Sequence, residues 1–217
     1  MANYASIKQD VIDLINRTDI TSALAGTFVN QAQRKIARTL RLPSLEKIQT
    51  ITVGTTSNTI YNATTGQYTF PNDFLELVYI YDNNRILERV PLRDFIELSK
   101  KHPATGRPRY YTRKQNKFEF RPRGQTGDEI NVVYFADPAD LTNNADTNIF
   151  TDVCPDLLVY AAVLYAADYF NDSRKQVFED TYNKLYAETA ALAADTDKAT
   201  TDASVRPAFD YAEDLLN

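Results

Sequence analysis

Hydrophobic residues recur with helical spacing at both ends of this chain and with a spacing of two in its middle. After Ile7, further apolar residues follow at i+4, i+7 and i+8, which predicts an amphipathic helix ending near Asn16. A second helix is predicted over residues 24–42, where apolar side chains repeat every four positions until Pro43 stops the pattern.

The middle of the chain predicts antiparallel strands. Residues 117–121 alternate apolar and charged side chains, which is typical of a half-buried strand. Strands are also predicted at 109–112 and 129–135, and the turn residues between the three predict a β-meander over residues 106–138.

A hairpin is predicted upstream of the meander. Its strands are residues 75–81 and 85–90, and residues 82–84 tolerate the left-handed backbone of a tight turn. Residues 91–98 then predict a short helix, because Pro91 suits a first helical turn.

Helical spacing returns towards the C-terminus. Residues 156–170 are apolar on every side, which predicts a helix that is buried all round. The next helix, up to Leu192, has an apolar and a charged face, and the two helices are predicted to pack as an antiparallel hairpin. From Asp195 onwards the helical spacing is lost, and the segment is acidic with scattered apolar residues. This composition indicates either docking onto another surface or disorder.

These patterns predict an α+β fold, in which a helical bundle carries an inserted antiparallel β domain. We predict the N-terminal helices of the bundle at residues 1–45 and the β insertion at 46–138. The helical hairpin that completes the bundle is predicted at 139–194, and an extended C-terminal arm at 195–217.

The composition of the chain excludes several classes of function. The 217 residues carry a net charge of -5 at pH 7, which argues against a protein that coats nucleic acid by bulk charge. The longest apolar run, residues 157–167, is too short to cross a bilayer, and the first residues lack the pattern of a secretory signal, so a soluble protein is expected. The single cysteine, Cys154, is expected to be a small buried hydrophobic residue.

No nucleotide-binding, nucleophile or metalloprotease motif is present. The single histidine, His102, has no orienting partner in the sequence that would make it a general base. We therefore expect a protein that is not an enzyme and that holds no cofactor or metal ion.

One segment is strongly basic. Residues 100–123 carry nine lysines and arginines against one acid, Glu119, which gives a local charge of +8 and leaves about −13 for the rest of the chain. Three interpretations are open: the cations protect sheet edges from aggregation, they bind nucleic acid with Tyr110, Tyr111 and Phe118 as stacking groups, or they contact an acidic surface on the next copy of a ring. The candidate partner-binding residues are Arg107, Arg109, Arg113, Lys114, Lys117 and Arg121.

Six segments occur in an order that is familiar from one family. They are the 24–42 helix followed by Pro-Ser-Leu, residues 68–74 (YTFPNDF), 106–111 (GRPRYY), 118–122 (FEFRP), 133–141 (VYFADPADL) and 155–162 (PDLLVYAA). In this order they resemble the head-to-tail adaptor proteins of tailed bacteriophages, also called head-completion or connector proteins, and particularly those of short-tailed phages.

The resemblance implies a structural ring subunit, typically present in twelve copies, that seats on the portal protein and receives a tail or nozzle protein. DNA passes through such a ring without sequence-specific binding. Members are made in the host bacterial cytoplasm and reside in the virion at the head–tail junction, away from any membrane. The C-terminal arm of the family commonly reaches onto the portal, and the candidate contacts in this arm are Arg206, Phe209, Tyr211, Leu215 and Leu216.

Two alternative functions stay open at this point. One is a nucleic-acid-binding module that uses the basic and aromatic segment 100–123, with an affinity that falls steeply as salt rises. The other is a tail-associated module that binds carbohydrate or protein through tyrosines gathered on a loop face.

Overall fold

The structure is a computed structural model that describes residues 2–57, 59–83, 85–101 and 103–200, with side chains as far as Asp195. In chain order the elements are α1 (Tyr4–Ile15), α2 (Ser22–Thr39), a 3-10 turn (Pro43–Leu45), β1 (Glu46–Thr52), β2 (Tyr61–Asn62), β3 (Gln67–Thr69), β4 (Phe74–Asp82), β5 (Arg85–Ile86), β6 (Glu88–Arg89), α3 (Leu92–Lys101), β7 (Tyr110–Lys114), β8 (Lys117–Arg121), β9 (Glu129–Ala136), α4 (Ile149–Val153), α5 (Pro155–Phe170) and α6 (Lys175–Thr200). Helices at both ends enclose strands in the middle, so the α+β prediction is confirmed.

Helices α1, α2, α5 and α6 form a bundle around α5, which contacts the other three. Helix α5 buries residues around its whole circumference, as its apolar sequence predicts. Four of the buried residues are alanines, at positions 161, 162, 166 and 167, and such small side chains let neighbouring helices approach closely. Asn171 ends α5 in the left-handed region, with φ at 52°, and the short connection that follows returns the chain as α6.

Two sheets pack face to face and share a second hydrophobic core. The strand order is β1-β9-β4-β5 in the first sheet and β2-β3-β8-β7-β6 in the second. Aromatic rings join the sheets: Phe74 lies 5.5 Å from Tyr134 in its own sheet and 6.0 Å from Phe118 in the other, measured between ring centroids. The hydroxyl of Tyr68 also donates across the core to Gln49, at 2.5 Å.

The prediction of a three-stranded meander is wrong in its last strand. Strands β7 and β8 pair as the predicted hairpin, but β9 pairs with β1 and β4 in the other sheet. The reason is burial: Val132 faces the inter-sheet core while Val133, on the opposite face, is also buried. A strand between two partners has side chains of both neighbours beside it on each face, which suits a sequence that is apolar on both faces.

The predicted upstream hairpin forms but is shorter than expected. Strand β5 pairs with β4 and ends at Ile86, and the buried Leu87 then turns the chain into the second sheet. There β6 pairs with β7 in parallel, so the insertion is not wholly antiparallel as predicted. A parallel pair needs a crossover connection, which α3 provides. Helix α3 packs against β7.

The bundle and the two sheets meet at β4 and β9. Leu75 and Phe135 pack against the hydrophobic core of the bundle. Arg41, just after α2, reinforces this junction: its Nε donates to Glu76 at 2.8 Å, and its guanidinium lies 5.7 Å from the centroid of the Phe135 ring. Helix α6 contacts the 3-10 turn that follows α2, at this same end of the bundle. It continues to Thr200, past the residue at which the sequence predicted the arm to begin.

Candidate assembly surfaces

The predicted basic residues lie along the β7–β8 hairpin in two groups. The turn between the strands, residues 113–117, is called the hairpin tip below, and it carries Arg113, Lys114 and Lys117. The opposite end of the hairpin carries Arg107, Arg109 and Arg121. Because each strand residue advances the chain by about 3.3 Å, the two groups are separated by about 15 Å and do not form one patch.

Several of these positive charges are already compensated. The buried carboxylate of Glu119 lies 2.5 Å from Lys114 Nζ and 3.5 Å from the Arg121 guanidinium. At the other end of the hairpin, the Arg107 guanidinium lies 3.8 Å from the Asp82 carboxylate. Glu119 is already counted in the charge of +8, but Asp82 and Glu97, which pair with Arg107 and Lys100, lie outside the segment. The value of +8 therefore overstates the positive charge that is free to meet a partner.

The hairpin tip retains uncompensated cations. The Arg113 guanidinium lies 5.3 Å from the centroid of the Phe70 ring, and its Nε donates to the Gln115 carbonyl at 3.1 Å. Within the part of the chain that the structure describes, neither Arg113 nor Lys117 forms an ion pair, and the same holds for the exposed Arg109.

The aromatic residues of the hairpin belong mainly to the core. Tyr111 is 6% exposed and Phe118 is 2% exposed, and their rings meet edge to face at 5.5 Å. Tyr110 is half-buried. Stacking on a nucleic-acid base requires a free ring face, which Tyr111 and Phe118 do not offer.

The other predicted contacts, Arg206, Phe209, Tyr211, Leu215 and Leu216, lie outside the described residues, and so does His102.

A cleft of about 600 Å³ lies between α1 and the start of α5. Its lining is largely apolar and includes Leu14, Pro155 and Val159. Three exposed carboxylates, from Asp10, Asp13 and Asp156, also line it, and it is called the acidic cleft below.

The carboxylates of this cleft carry uncompensated negative charge. Asp13 accepts a hydrogen bond from Gln9 Nε2 at 2.8 Å, and Asp156 accepts one from the backbone N–H of Leu157 at 2.9 Å. No described residue forms an ion pair with Asp10, Asp13 or Asp156, so their charges are available to a cationic partner.

The first sheet exposes an apolar strip on the face away from its core. Ile48 on β1 and Tyr79 on β4 are exposed and flank the buried Val133 of β9. Ile48 is 61% exposed, and Ile86, which pairs with Tyr81 further along the sheet, is 68% exposed. An exposed apolar strip of this kind is typical of surfaces that contact other proteins.

The thiol of Cys154 lies at the start of α5 and is buried. Burial, with a smaller effect of the Asp156 carboxylate, raises the pKa of the Cys154 thiol to about 12. The thiolate is therefore scarce at neutral pH, as expected for a structural cysteine. Among the described residues no cluster of three metal-binding side chains occurs, and no described helix is long and apolar enough to cross a membrane.

A basic hairpin tip, an acidic cleft and an apolar strip on a two-core fold are features typical of a protein that contacts other proteins. The protein-family model for the SU10 adaptor protein matches residues 2–208, and the chain belongs to that family. It is a phage structural adaptor protein and a component of the virion. No curated protein matches the chain.

Sequence reasoning missed the acidic cleft and the apolar strip. Asp10 and Asp13 lie on the polar face of a predicted helix, but no local signal shows that α5 brings Asp156 beside them. Strand β4 contains two irregularities, at residues 74–76 and 77–79, which change the faces on which its side chains lie. Simple alternation therefore does not predict the exposed face of β4.

Proposed function

We propose that this chain is the subunit of a ring that joins the portal of the phage head to the tail and continues the DNA channel. The observation that carries the proposal is the family match over residues 2–208. The proposed partners are further copies of the same chain, twelve in a complete ring, the portal protein, and a tail or nozzle protein of a short-tailed phage. The C-terminal arm, predicted at residues 195–217, is proposed to reach onto the portal.

The construction of the fold supports this role. A ring subunit at the head–tail junction must keep its shape while DNA passes, and the bundle and the β-sandwich are joined by packing as well as by the Arg41–Glu76 ion pair. The net charge of -5 also suits a channel protein, because an acidic chain gains little from binding phosphates as DNA moves past it.

The alternatives have less support. The nucleic-acid hypothesis used Tyr111 and Phe118 as stacking groups, and both rings lie in the inter-sheet core. The hypothesis of a tail-associated binding module placed tyrosines on a loop face, whereas Tyr61, Tyr68 and Tyr134 also lie in that core.

The test is the state of assembly of the purified full-length chain, alone and mixed with purified portal. Multi-angle light scattering gives the mass, and electron micrographs of the same fractions give the symmetry. We expect rings, either of the free chain or on the portal. A protein that stays near 24.6 kDa and does not join the portal would contradict the proposal. Binding to DNA that falls steeply with salt would instead favour the nucleic-acid alternative.

A further inference from the structure

We propose that the acidic cleft of one subunit receives the hairpin tip of the next subunit, so that copies join head to tail. This inference rests on the ring proposed above and adds the two surfaces that form its repeated contact.

Charge complementarity is the first argument. The tip presents Arg113, Lys114 and Lys117, and the cleft presents Asp10, Asp13 and Asp156. None of the three carboxylates has an ion-pair partner among the described residues, and Lys114 alone of the three cations has one. Copies with a net charge of -5 repel one another at long range, so a stable contact between them needs locally opposite charges.

The chemistry of the cleft is the second argument. Its apolar lining, with Leu14 and Val159, matches the aliphatic stems of lysine and arginine, and its carboxylates match their charged ends. A volume of about 600 Å³ falls within the range of roughly 300–1,000 Å³ that holds a drug-sized ligand, and it accommodates side chains from a narrow turn.

The position of the surfaces is the third argument. The tip belongs to the second sheet and the cleft to the bundle, so the two are different surfaces of one chain. A contact between two different surfaces repeats from copy to copy and closes into a ring when the rotation allows. A two-fold contact of tip with tip, or of cleft with cleft, would oppose like charges.

The test is a charge swap in the full-length chain. The tip variant is Arg113→Glu with Lys117→Glu, and the cleft variant is Asp10→Lys with Asp13→Lys. Both cleft positions are exposed on α1, and Asp13 lies in its last turn, where a lysine suits the helix dipole.

The tip variant changes contacts within the hairpin tip only through Arg113, which loses those with the Phe70 ring and the Gln115 carbonyl. Lys117 forms no ion pair with a described residue, so reversing its charge breaks none. The carboxylate that the substitution introduces lies directly across the hairpin from Lys114, where opposite charges favour the pairing of the strands.

Each variant alone is expected to assemble roughly tenfold less tightly or not at all, because like charges then meet at every contact. Mixing the two variants is expected to restore rings that contain both chains in alternation. The chain that carries all four substitutions is expected to form rings by itself. Both results also show that the substituted chains fold.

Two controls reverse charges of the same kinds outside the proposed contact. Arg93→Glu reverses an exposed cation on α3, and Asp180→Lys reverses an exposed carboxylate on α6. Both are expected to assemble like the unsubstituted chain.

The possible outcomes distinguish a failure of the proposed tip–cleft contact from a failure of the proposed ring. If the unsubstituted chain forms rings and the tip and cleft variants assemble equally well, the proposed tip–cleft contact is wrong, but the proposal that the chain forms a ring is supported. Failure of the mixture and of the fourfold variant to regain assembly also overturns the contact. If the unsubstituted chain forms no ring, even on the portal, both proposals fail. Salt-sensitive DNA binding that the tip variant loses would assign the tip to nucleic acid and overturn the contact.

Discussion

The side-chain amide of Asn148 donates to Gln33 Oε1 at 2.6 Å, and this bond ties helix α2 to the loop that leads from β9 to α4. Gln33 is fully buried, and its own amide donates to the carbonyl oxygens of Pro138 and Ala139 at 3.2 and 3.0 Å. One buried side chain thus holds both ends of the loop that connects the β-sandwich to the bundle.

Replacing Gln33 with leucine is expected to lower the free energy of unfolding by about 2–4 kcal/mol, since it leaves buried carbonyl and amide groups without partners. Urea denaturation followed by circular dichroism measures this change. The control is Gln125→Leu at an exposed position, with an expected effect of less than about 0.5 kcal/mol. Equal effects of the two substitutions would show that the buried amide network does not hold the loop.

The carboxylate of Asp146 is expected to make stability depend on pH. It accepts hydrogen bonds from the backbone N–H groups of Asn143 and Thr142, at 2.7 and 2.9 Å, and these bonds lower the pKa of Asp146 to about 2. The ordinary value for an aspartate is about 3.9, so the charged form stabilises the fold above about pH 4. This contribution is lost as the pH falls through the folded-state pKa.

Asp146→Asn is therefore expected to have a lower urea midpoint than the unsubstituted chain at about pH 7, with the difference shrinking between about pH 4 and about pH 2. Asp10→Asn, at an exposed position on α1, provides the control and is expected to show a smaller difference at neutral pH. A difference at Asp146 that is the same at neutral pH and near the folded-state pKa would refute the role of the charge.

The thiol of Cys154 is expected to resist alkylation in the folded protein. It is buried, and its raised pKa of about 12 leaves little thiolate at mildly alkaline pH. Iodoacetamide is expected to react at least about 100-fold more slowly with the folded chain than with the chain unfolded in urea. The control is Cys154→Ala with Ser173→Cys, which presents an exposed thiol and should react quickly. Equally rapid labelling of Cys154 in the folded chain would contradict its burial.

The ring of Phe118 is expected to contribute to stability and not to ligand binding. It packs against Phe70 at 4.5 Å and Tyr111 at 5.5 Å, measured between centroids. Phe118→Ala is expected to cost about 3–5 kcal/mol, the usual loss for a buried phenylalanine, and calorimetry or urea denaturation measures it. Ile86→Ala, at an exposed position, should cost far less. A Phe118→Ala chain of unchanged stability with weaker DNA binding would revive the stacking hypothesis.

Sequence periodicity predicted the helices well because helical spacing is a local property. The all-round apolar pattern of residues 156–170 predicted the central helix α5, which is buried as expected. The partner of β9 could not be predicted in the same way. Strand β9 follows β8 in sequence, but its pairing is decided by burial on both faces, which depends on β1 and β4 far along the chain.

The candidate surfaces could likewise not be predicted from local sequence patterns alone. The basic residues were visible in the sequence, but their grouping depends on strand register, which places Lys117 beside Lys114 and about 15 Å from Arg109. Compensation of Lys114 by Glu119 also depends on the fold. The acidic cleft requires α1 and α5 to pack together, although the two helices are far apart in sequence.

The final prediction concerns residues 201–217 of the arm. A chain that ends at Thr200 is expected to unfold at the same urea concentration as the full chain, because it keeps the bundle helices α1, α2, α5 and α6 and the proposal assigns the removed residues to the portal contact. It is expected to lose co-sedimentation with the portal, because the apolar side chains of the arm are the proposed portal contacts. Phe209→Ala with Leu215→Ala in the full-length chain is the matched control for length and should weaken portal binding in the same direction. Undiminished portal binding by the shortened chain would show that the portal contact lies on the folded body.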